Sequence, residues 1–152
     1  MEVNFRVMNE GDLAETVELC NECFEENTPL EYAERIFAEN HDDRNQIYLV
    51  GEVDGKIVAH AKVQVIPTIY KKMGTYAILN HICVKPGYRR AHIGTKLLDA
   101  CFAVAKEHGC KTADLWSKNF RVAAHALYHK YGFEVIEAKF FEKEIGGQNE
   151  NQ

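Results

Sequence analysis

Arg89 and Arg90 lie between an apolar run, Ile78 to Val84, and an amphipathic stretch, Gly94 to His108. The residue types read as a strand, a basic turn and a helix. A helix that starts after such a turn aims its first unpaired N–H groups, and the positive end of its dipole, at whatever lies ahead of it. Two arginines beside those groups make an anion site, and a diphosphate fits there. The lysine of a P-loop is missing, so the turn is not a Walker-type nucleotide site.

Other residues could carry chemistry. Cys20 and Cys23 form a C-x-x-C, a spacing used in redox and metal sites. No second ligand pair exists and no strand precedes the motif, which favours two small apolar residues inside a helix. His125 and His129 have the i, i+4 spacing of helical metal ligands. Ala126 stands where a metalloprotease needs its glutamate, and no third ligand is near, so no metal site is expected. Glu22, Glu25, Glu26 and Glu31 read first as a solvated face, with cation steering as the alternative.

The elements that must position these groups follow from patterning. Val3 to Met8 alternates as a half-buried strand does, and Asn9 is a good N-cap for a helix with Leu13, Val17, Cys20 and Phe24 on its apolar stripe. Pro29 opens a second helix with Tyr32, Ala33, Ile36 and Phe37 on its face. Asp54-Gly55 joins two apolar runs, a strong hairpin signal. A third strand spans roughly Thr75 to Lys85. The helix after Gly94 should bury Leu97, Leu98, Cys101, Val104 and Ala105 and stop at Gly109. Lys111 to Ser117 reads as a short strand, Arg121 to Tyr131 as a helix, and Phe133 to Ile145 as a last strand or strand pair. Trp116 reads as core or cleft wall. The order predicts an α/β (α+β) fold, a mixed, largely antiparallel central sheet with helices on both faces. One domain is expected over residues 1–145, and a polar, disordered tail over 146–152.

Composition narrows the class. The 152 residues carry a formal charge of −5, which disfavours nucleic-acid binding and mildly favours a cationic substrate. No apolar run approaches the roughly 20 residues of a membrane helix, and no signal-peptide pattern opens the chain. Five cysteines without framework spacing suggest free thiols in a reducing cytoplasm.

The element order and two motifs resemble the GNAT superfamily of acyl-CoA-dependent N-acetyltransferases. The first is V-x-P-x-Y-R-x-x-x-I-G-x-x-L-L at Val84 to Leu98; the second is A-x-x-L-Y-x-x-x-G-F at Ala124 to Phe133. Arg121 to Tyr128 is also similar to the R-x-x-A-H-x-F-Y version found in enzymes acting on small amines, including aminoalkylphosphonate acetyltransferases. The family usually reads R-x-x-G-x-G where this chain has Arg89-Arg90-Ala91-His92-Ile93-Gly94, so His92 replaces a glycine. If φ is negative at His92, the anion site persists with weaker contacts.

The resemblance implies the site. The backbone of Ile82, Cys83 and Val84 would meet the pantetheine arm of acetyl-CoA, and the N–H groups of Arg90, Ala91, His92, Ile93, Gly94 and Thr95, with Arg89, would hold the diphosphate. Asn119 and Ala124 would line the arm, and His125 would touch cofactor or substrate. Tyr128 would be the general acid, since a phenol of pKa about 10 is matched to a thiolate of about 8.5. Many relatives place a carboxylate on the strand before the loop; here those positions hold Asn80 and His81, and His81 is the candidate base. The expected activity is transfer of an acetyl group from acetyl-CoA to a small-molecule amine in the cytoplasm, with no metal, nucleic acid or membrane involved. A homodimer stays open. The alternatives are a protein or peptide N-acetyltransferase and a catalytically silent acyl-CoA-binding module.

Overall fold

The computed structural model describes residues 2–89 and 91–146. Five strands form one sheet in the order β1 (Asn4–Val7), β2 (Gln46–Val53), β3 (Lys56–Ile66), β4 (Tyr76–Val84), β5 (Thr112–Asp114). Every neighbouring pair is antiparallel except β4 with β5. Asp54 and Gly55 turn β2 into β3 with φ of 50° and 79°. Both values are left-handed, as the Asp-Gly hairpin turn requires.

The helices are α1 (Leu13–Phe24), α2 (Leu30–Asn40), α3 (Ile93–Glu107) and α4 (Val122–Tyr131). Adjacent residues of β2 show how the sheet separates them. Leu49 joins one core cluster with Ile93, Leu97, Leu98 and Cys101 of α3, and Val50 joins another with Leu13 and Leu19 of α1 and Phe37 of α2. Successive strand side chains point to opposite faces, so helices cover both, as the sequence implies. β3 is central, and Ile57 to Ala61 are all buried.

Local details differ from the sequence reading. Asn9 caps a short 3₁₀ turn, Glu10–Asp12, which leads into α1; its N–H donates to Asp12 Oδ2 at 2.9 Å. Tyr32 is exposed rather than on the packed face of α2, with the Arg35 guanidinium over its ring. Val104 is half-buried, whereas Leu97, Leu98, Cys101 and Ala105 are buried as expected. The strand expected over Lys111 to Ser117 pairs only at Thr112–Asp114. Among the described residues, the strand expected over Phe133 to Ile145 does not form: the sheet ends at β5, and no strand pairs with this segment. Its alternating apolar residues lie outside, Phe141 and Ile145 being 85% and 94% exposed. Trp116 is exposed too, its ring tilted by 34° against that of Phe140 with centroids 5.2 Å apart, and is not core. Of the tail expected over 146–152, residues 147–152 lie outside the described residues.

Candidate functional site

β4 pairs with β5 only through Tyr76↔Thr112, Ala77↔Ala113 and Ile78↔Asp114. Beyond Ile78 the ladder stops, and β4 runs on to Val84 with no strand beside it on that edge among the described residues. The side facing β3 is irregular as well. His60 pairs with Cys83 and Lys62 with Asn80, so His81 and Ile82 together stand opposite the single residue Ala61. This is a β-bulge, a device that re-aims side chains and sharpens local twist. His81 takes the bend with φ of 61°, a left-handed conformation that His tolerates better than most non-glycine residues.

The bulge sets which backbone groups reach the open edge. Lys85 N–H donates to the Val58 carbonyl at 2.7 Å, which makes Ala59↔Val84 a pair without mutual hydrogen bonds. The N–H and C=O of Val84 therefore point away from β3, toward the gap left by β5. The carbonyl is already used: Arg89 Nε donates to it at 2.9 Å and the Cys23 thiol at 3.4 Å.

Pro86, Gly87 and Tyr88 then form the turn. Tyr88 N–H donates to the Lys85 carbonyl at 3.0 Å, and Gly87 has φ of 95°. Arg89 is the first of the two arginines. Its guanidinium rests on Val84 and, through Nη2 at 3.7 Å, on Cys23 Sγ. Arg90 lies outside the described residues.

α3 begins at Ile93, one residue earlier than the sequence suggests, so the free N–H groups of its first turn belong to Ile93, Gly94 and Thr95. Ala91 and His92 precede the helix. His92 is the N-cap residue with φ of 59°, so the negative φ set as the condition for the anion site is not met. Lys96 N–H closes the first helical bond onto the His92 carbonyl, and the chain enters that bond from the left-handed region. This explains the preference for glycine here and the strain a histidine accepts. Gly94 serves packing: a Cβ placed there would meet Leu127 Cδ2 of α4 at 3.0 Å.

α4 brings Tyr128 to the same core cluster as Ile82 and Val84. The Tyr128 ring meets Phe133 edge-on at 5.7 Å. Burial pushes its hydroxyl pKa upward against a smaller opposing effect of Arg121, so the phenol keeps its proton at neutral pH. His125 and Ala124 are half-buried on α4, and Asn119 is exposed in the loop before it. His81 is exposed as a residue, yet enough protein surrounds its ring to lower its pKa by desolvation, assisted by the Lys62 charge. His81 is thus neutral near pH 7 and able to take a proton.

Two contacts here had no sequence signal beyond their residue types. The Arg121 guanidinium lies over the rings of Phe24 and Phe120, at 5.2 and 5.0 Å from their centroids, tying the start of α4 to the end of α1. Lys85 Nζ pairs with Glu22 at 3.2 Å, so one of the four acidic residues noted in the sequence meets the basic turn. Among the described residues, no group of three His, Cys, Asp or Glu side chains converges as a metal site would need, and no helix is long and apolar enough to cross a membrane.

Comparison with known proteins agrees with this arrangement. The family model "Acetyltransferase (GNAT) family" matches residues 13–133. The chain is 26% identical over 136 residues to "Uncharacterized N-acetyltransferase YhfO" of Bacillus subtilis, covering 87% of this chain and 90% of that protein. It is 31% identical over 90 residues to "Probable N-acetyltransferase camello" of Xenopus tropicalis, covering 59% of this chain; the match spans only 39% of that relative's length. The glucosamine-6-phosphate N-acetyltransferase structure from Arabidopsis thaliana superposes with a TM-score of 0.79 at 19% identity, covering 94% of this chain and 99% of that one. At that identity the likeness concerns the fold. An open-edged β4, its bulge and a basic turn capping α3 thus occur in a chain whose sequence matches the family from α1 to Phe133: the protein belongs to the acetyltransferase (GNAT) family.

Proposed function

We propose that this chain transfers an acetyl group from acetyl-CoA to the primary amine of a small molecule. The observation that carries the reading is the Val84 amide, turned away from β3 into the gap where β5 has left the sheet. An N–H in that position suits a thioester carbonyl, whose oxygen gains negative charge as the amine attacks. The residues at hand fit acyl-CoA in two further respects. The free N–H groups of Ile93, Gly94 and Thr95 suit a diphosphate, and Arg89 adds a cation in the turn that precedes them. Acetyl-CoA supplies the activated acyl group; the protein supplies positioning and proton handling.

His81 receives the proton of the incoming ammonium, directly or through water, because its lowered pKa keeps the imidazole neutral. Tyr128 gives a proton to the departing sulfur, and its raised pKa ensures that the proton is there to give. Val84 N–H holds the carbonyl oxygen. A small amine is favoured over a peptide by the Arg121 to Tyr128 motif and by the shared fold of the glucosamine-6-phosphate enzyme.

The test is thiol release from acetyl-CoA across a panel of small amines and N-terminal peptides. Turnover with one or more small amines is expected. Turnover only with peptides would replace the substrate class. Binding of acetyl-CoA without thiol release on any acceptor would make the chain a silent acyl-CoA module.

A further inference from the structure

Three of the five cysteines converge where α1 crosses β4. Cys20 and Cys23 lie one turn apart on α1, and Cys83 lies buried on β4 beneath them. Cys20 Sγ is 4.0 Å from Cys83 Sγ. Cys23 Sγ contacts the Val84 carbonyl at 3.4 Å, and Arg89 Nη2 donates to it at 3.7 Å. A hydrogen bond from the Cys83 thiol and the Arg89 guanidinium stabilise the Cys23 thiolate and bring its pKa down to about 6, against burial and the nearby Glu22 carboxylate. The other environments work the opposite way. Cys83 is raised by its thiol neighbours and burial, Cys101 is pushed by burial to about 12, and Cys110 is raised by burial.

The three thiols have no part in acetyl transfer as described above, although Val84 and Arg89 beside them do, and the described residues add no ligand that would make the cluster a metal site. It has what a peroxide-reactive thiol needs: a partly buried cysteine, a cation at 3.7 Å to hold it as thiolate, and a second thiol on the adjoining residue of the facing strand. A disulfide requires about 2.05 Å between sulfurs and Cα atoms within roughly 7 Å. Cys20 already touches Cys83, and Cys23, one turn on, touches the carbonyl of the residue that follows Cys83, so side-chain rotation is what has to bring Cys23 Sγ onto Cys83 Sγ, whereas partners on one helix turn would link nothing to the sheet.

We propose that Cys23 is an oxidation site for hydroperoxides and that Cys83 resolves it, forming a reversible disulfide between α1 and β4. The Cys23 thiolate attacks one peroxide oxygen. The O–O bond breaks, leaving Cys23 as a sulfenic acid and releasing hydroxide, or an alkoxide from an organic peroxide. The Cys83 sulfur then attacks Cys23 Sγ, the S–O bond breaks, and the departing hydroxyl leaves as water with the Cys83 proton. Two thiols and one hydrogen peroxide give one disulfide and two waters. The peroxide is the oxidant, and a dithiol reductant reverses the step. The link closes beside Val84 and Arg89, so it forms in the wall of the acyl-CoA groove. Its chemistry does not depend on which amine the enzyme takes.

The test uses the full chain, reduced, desalted and treated with hydrogen peroxide near neutral pH. Free thiols are then alkylated, and peptides are mapped without reduction. The expected product joins the peptide carrying Cys20 and Cys23 to the one carrying Cys83, and dithiothreitol removes it. The link should persist in Cys20→Ser and vanish in Cys23→Ser. In Cys83→Ser, Cys23 should instead be trapped as a dimedone adduct, and Arg89→Ala should slow that trapping several-fold at pH 7. Circular dichroism of each variant separates lost chemistry from lost folding, and the Cys83→Ser adduct reads the site without needing the link. The proposal is overturned if no α1–β4 link forms, if the link survives in a folded Cys23→Ser protein or vanishes in a folded Cys20→Ser protein, or if Cys101 or Cys110 is oxidised before Cys23.

Discussion

The imidazoles of His60 on β3 and His81 on β4 approach each other diagonally across the bulge, ring centroids 5.9 Å apart and planes inclined by 32°. Only one of them is sealed from water. His60 is buried, with Nδ1 2.8 Å from the Leu49 carbonyl. Desolvation, with a smaller contribution from His81, brings its pKa from 6.5 to about 4 although the Leu49 contact opposes the change. The unfolded chain therefore binds a proton at a higher pH than the folded one does. The stability this group contributes is present above about pH 6.5 and is lost as pH falls toward 4. At about 1.4 kcal/mol per unit the loss approaches roughly 3 kcal/mol. Urea titrations between pH 7 and 4 should show this slope, and His60→Gln should flatten it; an equal slope in the variant would assign the acid sensitivity to the carboxylates.

Because His81 is lowered by desolvation and by Lys62, the rising limb of the pH–rate profile should lie below pH 6.5. His81→Gln should remove that limb and leave CoA affinity intact. If the limb persists unchanged, it belongs to the amine or to another group, and His81 is then only part of the groove wall.

Tyr128→Phe keeps the edge-on contact with Phe133 and deletes the hydroxyl. A general acid typically contributes about 10²–10⁴-fold, so kcat should fall by that order while calorimetric acetyl-CoA binding stays within a factor of about two. Turnover within about threefold of wild type would make Tyr128 a packing residue.

Arg89→Ala removes a cation from the turn that leads from β4 into α3. Charged hydrogen bonds are worth roughly 1.5–3 kcal/mol when aligned, so the CoA dissociation constant should rise about tenfold or more. The wild-type affinity should also fall with added salt more steeply than that of the variant. Unaltered affinity in Arg89→Ala would place the diphosphate elsewhere.

His92 holds φ of 59° at the cap of α3, a conformation that costs a residue with a Cβ about 1 kcal/mol. His92→Gly relieves this at the expense of a looser unfolded chain, so stability should change by less than about 1 kcal/mol. His92→Val, stiff at Cβ, should lose about 1–2 kcal/mol. Denaturant midpoints of the two variants give the comparison. Equal stability of the two would mean that the backbone relaxes at this position.

Patterning exposed the elements whose signals are local. The Asp54-Gly55 turn, the α3 stripe and the glycine stop at Gly132 needed only near neighbours. The motifs likewise placed Tyr128 on a helix and Arg89 in a turn before another. What patterning hid was pairing. Phe133 to Ile145 has the residue types of a strand, but a strand needs a partner, and among the described residues none pairs with this segment, β5 included. The His81 bulge leaves no mark in residue types, because it arises from how β4 registers against β3. The thiol cluster was half visible: Cys20 and Cys23 announce themselves by spacing, whereas Cys83 and Arg89 join them only through the crossing of α1 over β4.

The unbroken succession of β2, β3 and β4 in the sheet also has a meaning in time. Each of these strands pairs with its neighbour in the chain, so this part of the sheet closes with short loops and little entropy. β1 and β5 must each wait for helices to be laid down between them and their partners. The amides of β3, shielded on both faces and bonded on both edges, should be the last to exchange with deuterium, and those of β5, bonded along one edge over three residues, among the first strand amides to do so. The groove would then open from its β5 side without disturbing the strand that carries His60.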